Sequence, residues 1–287
     1  MYLEKAVFPT NSREMDYLWT SHQVNLTYNT SVYPFKTLSE KGLTTLELAP
    51  LTILYGGNGS GKTTALNLLA EKVRAARVSI FNQTVFYPEY LEMMAVSLSN
   101  ERPDICRMIA SDDVFDYLLN LRHINQGLDQ KRHQLAEEYT KKKYAQFQMQ
   151  TIEDYETLKR VNDTRRKTQS QFVNGETTEN VPTYSNGESA YKYFTETITE
   201  NGLYILDEPE NSLAPQLQIQ LGQFIEEAVR FYRCQIIMAT HSPFLLSMKG
   251  ATVYNLDTSP VRTKSWVELA NVRTTYDFFQ KHAQLFK

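Results

Sequence analysis

One glycine-rich loop constrains the fold of this chain more than any other feature. Residues 56–63 read GGNGSGKT and fit the phosphate-binding pattern G-x-x-x-x-G-K-[ST]. The apolar run 51–55 before it predicts a buried strand, and the run 65–70 after it predicts the first turns of a helix. A strand, loop and helix in this order let successive backbone N–H groups converge on phosphate oxygens, where the helix dipole adds attraction. The sequence therefore predicts a nucleoside-triphosphate site in an α/β fold.

Two side chains of the loop have distinct expected roles. Lys62 is expected to reach the β- and γ-phosphates, and the Thr63 hydroxyl is expected to bind Mg²⁺. The other residues expected to contact the nucleotide are Gly57, Asn58, Gly59, Ser60, Gly61 and Thr64.

Two further apolar runs end in residues suited to phosphate chemistry. The run 203–206 ends in Asp207, predicted as a second Mg²⁺ ligand, and Glu208, predicted to polarise an attacking water. The run 235–239 is followed by His241, predicted to hydrogen-bond the γ-phosphate or that water. Strand ends are often acidic because they reach the surface, and a lone histidine is usually structural. The presence of Lys62 and Thr63 in the same chain favours the catalytic interpretation.

A second candidate anion site lies at residues 184–190, which read YSNGESA and precede a helical pattern. Ser185 and Gly187 at a helix N-terminus can bind an anion. Ser185 and Glu188 also fit the capping box S-x-x-E, and the two roles are compatible.

Bulk composition excludes several classes of protein. The chain has 287 residues, of which 41% are hydrophobic and 22% charged, which suits one large domain or a domain with an insertion. Its two cysteines, Cys106 and Cys234, are too far apart for a metal motif or a disulfide framework. The N-terminus does not resemble a signal peptide, and no apolar run is long enough for a membrane span. A cytoplasmic protein is expected.

Hydrophobic periodicity predicts the remaining organisation. Short alternating patterns at 23–28 and 43–48 predict a strand-rich opening, and 77–81 predicts a further strand. Residues 87–126 predict helices that stop at Gly127.

The segment 128–173 is free of proline and glycine and predicts an arm or hairpin of two helices, followed by a polar loop at 174–183. Residues 131–173 hold ten Lys and Arg against six Asp and Glu, although the whole chain has a net charge of -3. The runs 141–143 and 165–167 could follow nucleic-acid phosphates. They also fit a solvated helix face, because acids are interleaved with the bases.

The strings GGNGSGKTT, SNGES, LYILDEPENSL and IIMATHSP, in this order, resemble the ATP-binding-cassette (ABC) ATPases. The resemblance is strongest to the branch without transport function, with its chromosome-maintenance, DNA-repair and overcoming-lysogenization-defect ATPases. It implies an α/β P-loop fold with a mixed sheet and a helical insertion between the two anion-binding motifs. On this basis residues 1–84 and 184–287 form the two halves of the core, and 85–183 form the helical subdomain.

The resemblance also implies a mechanism. Two copies stack head to tail around two ATP molecules, each with Mg²⁺, and Glu208 acts as the base. Ser185, Gly187 and Glu188 of one copy face the phosphate-binding loop of the other. Gln83 is a candidate third Mg²⁺ ligand.

The sequence departs from the family pattern at two positions. The family has a signature motif that corresponds to SNGES at residues 185–189, and Asn186 replaces its first glycine. Ala214 replaces an aspartate that contacts the second copy in the family. Tyr33 and Phe35 are candidates for stacking on adenine, although core packing is the simpler explanation for both.

Three functions remain open. The chain could be a clamp or switch acting on a partner protein or nucleic acid, as in bacterial defence or DNA maintenance. It could be the ATPase subunit of a membrane transporter, or the regulatory ATPase of a toxin or antiphage effector pair. The signature glutamate and the polar arm favour the first and third.

Overall fold

The computed structural model describes residues 1–21, 31–144, 159, 162, 166–180 and 185–286. The strands are β1 (Leu3–Val7), β2 (Thr45–Glu47), β3 (Leu51–Tyr55), β4 (Ala95–Leu98), β5 (Ile105–Ala110), β6 (Gly202–Asp207), β7 (Gln235–Ala239), β8 (Thr252–Asn255) and β9 (Arg262–Thr263). The helices are α1 (Asn11–Thr20), α2 (Lys62–Lys72), α3 (Tyr87–Met93), α4 (Ser111–Tyr144), α5 (Gln169–Glu176), α6 (Asn186–Thr197), α7 (Pro215–Phe231), α8 (Pro243–Leu246) and α9 (Ala270–Lys281). Three single 3₁₀ turns cover Pro209–Ser212, Trp266–Glu268 and Ala283–Phe286.

The main sheet has the order β5-β6-β7-β3-β8-β9 and is parallel except for its last strand. Every residue of β3, β6 and β7 is buried, as continuous apolar runs require when a parallel sheet is covered on both faces. Parallel strands end at the same edge of a sheet. The loops that follow β3, β6 and β7 are therefore brought together, and ligands bind at this edge in open α/β sheets.

A smaller antiparallel sheet, in the order β2-β1-β4, packs beside the main sheet. The Gln235 side chain joins the two sheets. Its Oε1 accepts from the N–H groups of Tyr2 and Leu3 at 2.7 and 2.8 Å, and its Nε2 donates to the Leu3 carbonyl at 2.6 Å. Because Gln235 is fully buried, these bonds also satisfy polar groups that would otherwise lie unpaired in the core.

The predicted α/β class with a mixed sheet is confirmed. The strands expected at 51–55, 203–206 and 235–239 are β3, β6 and β7, and the helix expected after the glycine loop is α2. The strand β2 lies within the pattern predicted at 43–48.

Several secondary-structure predictions were wrong. Residues 77–81 form no strand, and β4 and β5 occupy part of the segment expected to be helical. The opening expected to be strand-rich contains a helix at residues 11–20, and α4 continues through Gly127 to Tyr144. Short apolar runs such as 105–110 fit either structure, and pairing with β6 decides for the strand.

The chain divides into two units. The first comprises Met1–Phe115 and Asn186–Lys287 and holds both sheets. The second comprises Asp116–Ser185. Within it, Tyr139 Oη donates to the Lys167 carbonyl at 2.9 Å, and the Arg132 guanidinium bonds the Asn180 side chain at 2.6 Å.

Much of the predicted arm lies outside the described residues. These parts are residues 145–158, 160–161 and 163–165, together with the loop residues 181–184 and the strand predicted at 23–28.

Candidate functional site

The glycine loop connects β3 to α2 and has the backbone of a phosphate cradle. Gly59 and Gly61 have φ angles of 75° and 94°, in the region that favours glycine. A Cβ on Gly56 would lie 2.5 Å from Ser60 Oγ, so only glycine fits there. The free N–H groups at the start of α2 then lie beside the loop, where they favour an anion.

Lys62 is buried beneath this loop. Its Nζ donates to the carbonyls of Gly56 and Gly57 at 2.8 and 3.1 Å. Burial lowers the pKa of Lys62, and the nearby carboxylate of Glu208 opposes that effect. The ammonium group is therefore partly desolvated, which strengthens its attraction for a phosphate.

A cavity of about 250 Å³ opens over the loop. The residues that line it are Asn58, Gly59, Ser60, Gly61, Lys62, Thr63, Thr64 and Glu208. The structure thus places Glu208 beside the predicted phosphate-binding residues of the loop. Gly57 belongs to the same loop but is not among the described residues that line this cavity.

Thr63 and Asp207 are placed together as a cation site would require. Thr63 Oγ1 donates to Asp207 Oδ1 at 3.2 Å. Burial raises the pKa of Asp207 to about 6, the Thr63 hydrogen bond lowers it, and the Glu208 charge raises it further. A desolvated carboxyl group with one hydroxyl donor fits a divalent cation, which would supply the missing positive charge.

Mg²⁺ is often held by one or two carboxylates together with substrate phosphates and water. Within the described part of the chain, no group of three or more His, Cys, Asp or Glu could form a metal site by itself. The Thr63–Asp207 pair therefore fits a cation that binds together with a nucleotide.

Glu208 lies between Lys62 and His241. Its Oε1 lies 3.2 Å from His241 Nε2 and 4.0 Å from Lys62 Nζ, and its Oε2 accepts from Asn211 at 3.1 Å. The His241 contact lacks the alignment of a hydrogen bond. Glu208 adopts φ 48°, and this left-handed conformation is uncommon for a residue other than glycine. Its N–H still bonds the Ala239 carbonyl of β7 at 3.0 Å, which holds the residue at the sheet edge.

Two residues without an assigned role in the sequence analysis position His241. Glu210 Oε1 accepts from the N–H groups of His241 and Ser242 at 2.6 and 3.1 Å. Asn271, at the start of α9, donates to the His241 carbonyl at 2.5 Å. Glu210 lies in the quoted DEPENSL string, so the motif contained its signal, whereas no local pattern points to Asn271.

Thr63 and Asp207 also line a second cavity, of about 340 Å³. Asn82 lines this cavity, whereas Gln83 is exposed and is not among the described residues that line it. Asn82 therefore borders the cavity that Thr63 and Asp207 also line, and the role expected for Gln83 stays a prediction.

The signature residues lie at the start of α6. Gly187 and Glu188 are not among the described residues that line the cavity over the loop, and Ser185 is the last residue of the second unit. A Cβ on Gly187 would lie 2.9 Å from Leu217 Cδ1 and 3.4 Å from the Ser212 carbonyl oxygen. Glycine thus allows α6 to pack against the segment that follows Glu208.

The two aromatic candidates differ in their surroundings. Phe35 is 3% exposed and stacks on Tyr17 with ring centroids 5.0 Å apart, so its ring is used in the core. Tyr33 Oη donates to Thr64 Oγ1 at 3.2 Å, and Tyr33 lines the second cavity.

A protein-family model described as "AAA domain, putative AbiEii toxin, Type IV TA system" matches residues 97–247, which is more than half of the chain. No curated protein matches the chain.

Solved structures with a similar fold have low sequence identity and low TM-scores. A "putative metal-chelate type ABC transporter" in an inward-facing conformation is 14% identical, covers 80% of this chain and 78% of its own, and has a TM-score of 0.39. An Smc head bound to the C-terminal winged-helix domain of ScpA is 13% identical, with 77% and 92% covered and a TM-score of 0.39. The Smc head with an extended coiled coil, from Pyrococcus furiosus, is 12% identical, with 83% and 95% covered and a TM-score of 0.36.

No helix in the described ranges is long and apolar enough to cross a membrane.

Proposed function

The chain belongs to the AAA-domain family matched above, and we propose that it is an ATP-hydrolysing P-loop enzyme whose two copies enclose two ATP molecules head to tail. One observation carries the catalytic part of the proposal. Glu208 lies 3.2 Å from His241 and 4.0 Å from Lys62, at the opening of a loop built for phosphates.

The first step is to hold the triphosphate. Lys62 leaves its two carbonyl partners to pair with phosphate oxygens, and the loop N–H groups donate to the same group. Thr63 and Asp207 would hold Mg²⁺, and the cation would supply positive charge beside the phosphate oxygens.

The second step is to activate water. Glu208 accepts a proton from a water directed at the γ-phosphate, and His241 hydrogen-bonds the same water or the phosphate. Glu210 binds the His241 N–H and Asn271 binds the His241 carbonyl, so the backbone that carries the imidazole is held in place beside Glu208.

The third step requires a second copy. Gly187 and Glu188 lie in the first turn of a helix, where the helix dipole favours an anion, yet they are not among the described residues that line the cavity over their own loop. The binding site for an ATP on one copy is then completed by the signature segment of the other copy. Because α6 packs on the turn that follows Glu208, the state of the catalytic residue can affect the signature segment.

We favour a switch or clamp that controls a partner protein, in a toxin or defence pair, over the transporter alternative. The family description names a toxin–antitoxin system, which supports this choice. Nucleic acid is a second candidate partner because of the basic runs at 141–143 and 165–167.

The decisive variant is Glu208→Gln, which removes the base but keeps the shape of the side chain. Wild-type protein should release phosphate from ATP in a Mg²⁺-dependent way, and the variant should be slower by about 10² to 10⁴. Size-exclusion chromatography with light scattering should show the variant as a dimer with Mg²⁺–ATP and as a monomer with Mg²⁺–ADP. A monomer at saturating ATP would contradict the sandwich.

The partner class can be tested with the same variant. Immobilised Glu208→Gln protein with ATP should retain its partner from a cell extract. Identification of the retained molecules should yield a protein whose gene lies next to the gene for this chain. DNA affinity that falls steeply with salt, and less steeply when residues 141–143 are all changed to Gln, would instead favour nucleic acid. Recovery with membrane components would favour the transporter.

A further inference from the structure

The backbone of Gly57, the second residue of the phosphate-binding loop, is held from both directions. Its carbonyl oxygen accepts from Lys62 Nζ at 3.1 Å and from the Ser60 N–H at 3.2 Å. Its N–H donates to Oδ1 of Asp257 at 2.7 Å. Asp257 is 200 residues further along the chain and outside the loop, so this contact exists only through the fold.

Asp257 is itself attached to the sheet. It follows β8, in which Asn255 pairs with Tyr55, the last residue of β3. The ladder continues with the Leu256 N–H, which donates to the Tyr55 carbonyl at 2.7 Å. The Asp257 N–H bonds the buried Asn255 side chain at 3.0 Å. The carboxylate is therefore presented from a fixed point beside the strand that enters the loop.

A carboxylate bonded to a phosphate-binding loop needs an explanation, because its charge repels a phosphate. Burial lowers the pKa of Lys62 and the Asp257 charge opposes that effect, but among the described residues Asp257 forms no direct salt bridge. Its short bond to Gly57 is charge-assisted and stronger than a bond between neutral groups. The loop contains several glycines, which lose much conformational freedom when ordered. An anchor that orders the loop before the ligand arrives reduces the entropic cost of binding.

We propose that Asp257 is a positioning residue that holds the phosphate-binding loop in its ligand-ready conformation through the Gly57 N–H. The proposal rests on the nucleotide site described under Proposed function. It adds a residue, Asp257, that lies outside the four sequence strings that carry the resemblance to the ABC ATPases.

Two substitutions separate the hydrogen bond from the charge. Asp257→Asn keeps an acceptor oxygen but removes the charge, whereas Asp257→Ala removes both. Asp277→Ala, at an exposed carboxylate on α9, is the matched control. Thermal unfolding of all three variants checks that the fold is retained.

The first measurement needs no nucleotide, so it is independent of the proposed ATPase activity. Amide hydrogen exchange of residues 56–61 should become about tenfold faster in Asp257→Ala, the factor expected for losing one hydrogen bond to a charged acceptor at an exposed position. Asp257→Asn should stay within about threefold of the parent, since Asn can still accept the bond. Equal exchange in Asp257→Ala and Asp277→Ala would overturn the proposal.

The second measurement uses ATP and ADP with Mg²⁺. Asp257→Ala should weaken binding of both nucleotides about tenfold by calorimetry, and it should raise KM more than it lowers kcat, because the loop is disordered before binding. Asp257→Asn should recover most of this loss. Tighter ATP binding in both variants would overturn the proposal, because it would show that Asp257 acts only by repelling phosphate. Absence of ATP binding by the parent would instead refute the proposed function and leave the exchange result to decide on the anchor.

Discussion

Removing the negative charge of Asp207 should stabilise the nucleotide-free protein. Asp207 is 9% exposed, and burial is the largest cause of a pKa raised from 3.8 to about 6. Asp207→Asn keeps an oxygen that can accept the Thr63 hydroxyl at its present 3.2 Å and has no charge to desolvate. The variant thus isolates the cost of holding a carboxylate in the candidate cation site.

The sign and size of the effect follow from the same pKa. Because the folded pKa exceeds the usual value, the native protein retains a proton that the unfolded chain has lost between pH 3.8 and about 6. Wild-type stability should therefore fall as the pH rises through this window. The pKa difference corresponds to about 3 kcal/mol at ~1.36 kcal/mol per pH unit. We expect Asp207→Asn to be more stable than the parent by about that amount at pH 7 to 8 and by almost nothing near pH 4.

Urea unfolding at several pH values between 4 and 8, with EDTA and without nucleotide, would measure the difference. Asp112→Asn is the matched control, because Asp112 is an exposed carboxylate that lines the 340 Å³ cavity together with Asp207. The reasoning would be refuted by a gain that is independent of pH, or by an equal gain in Asp112→Asn. The stabilised variant should also lose Mg²⁺-dependent phosphate release, since the cation loses its anionic ligand.

Three other substitutions test the remaining parts of the site. Lys62→Ala should abolish ATP binding in calorimetry, because the only buried cation of the loop is lost; unchanged affinity would mean that the loop does not bind the triphosphate. Ser185→Arg should leave ATP binding to one copy intact while phosphate release collapses, and full activity would place Ser185 outside the site. Glu210→Ala should lower kcat about tenfold by freeing the His241 backbone, whereas Glu210→Gln keeps an acceptor and should retain most activity. Equal kcat values for the two Glu210 variants would argue against a positioning role.

Local sequence was sufficient for the elements that form the site. The strands β3, β6 and β7 are apolar at nearly every position, and the phosphate-loop and acidic motifs at their ends favoured buried parallel strands over buried helices. Their polar endings therefore had to meet at one edge, which places Lys62, Asp207 and His241 in one region.

Periodicity failed where a segment's structure depends on distant partners. Residues 105–110 are a strand because β6 pairs with them, although about 90 residues separate the two in sequence. Gly127 did not end its helix, because a glycine within a helix costs only about 1 kcal/mol relative to alanine and neighbouring residues can offset this.

The fine structure of the site was equally inaccessible from local patterns. Asn82 rather than its neighbour Gln83 lines the cavity beside Asp207, and a choice between two adjacent amides depends on the path of an irregular loop. Asn271 and Asp257 reach the site from the C-terminal part of the chain, and neither belongs to a motif.

The amino-acid sequence alone determined the phosphate-binding loop, the acids at the end of β6 and the buried strands that carry them, because glycine geometry and continuous apolar runs act over a few residues. Only the tertiary structure decided which side chains orient that chemistry. The bonds from Glu210 and Asn271 to the His241 backbone, and from Asp257 to Gly57, join residues 30 to 200 positions apart. No local energetic preference specifies such pairs, since they form when the packed sheet brings the strand ends together.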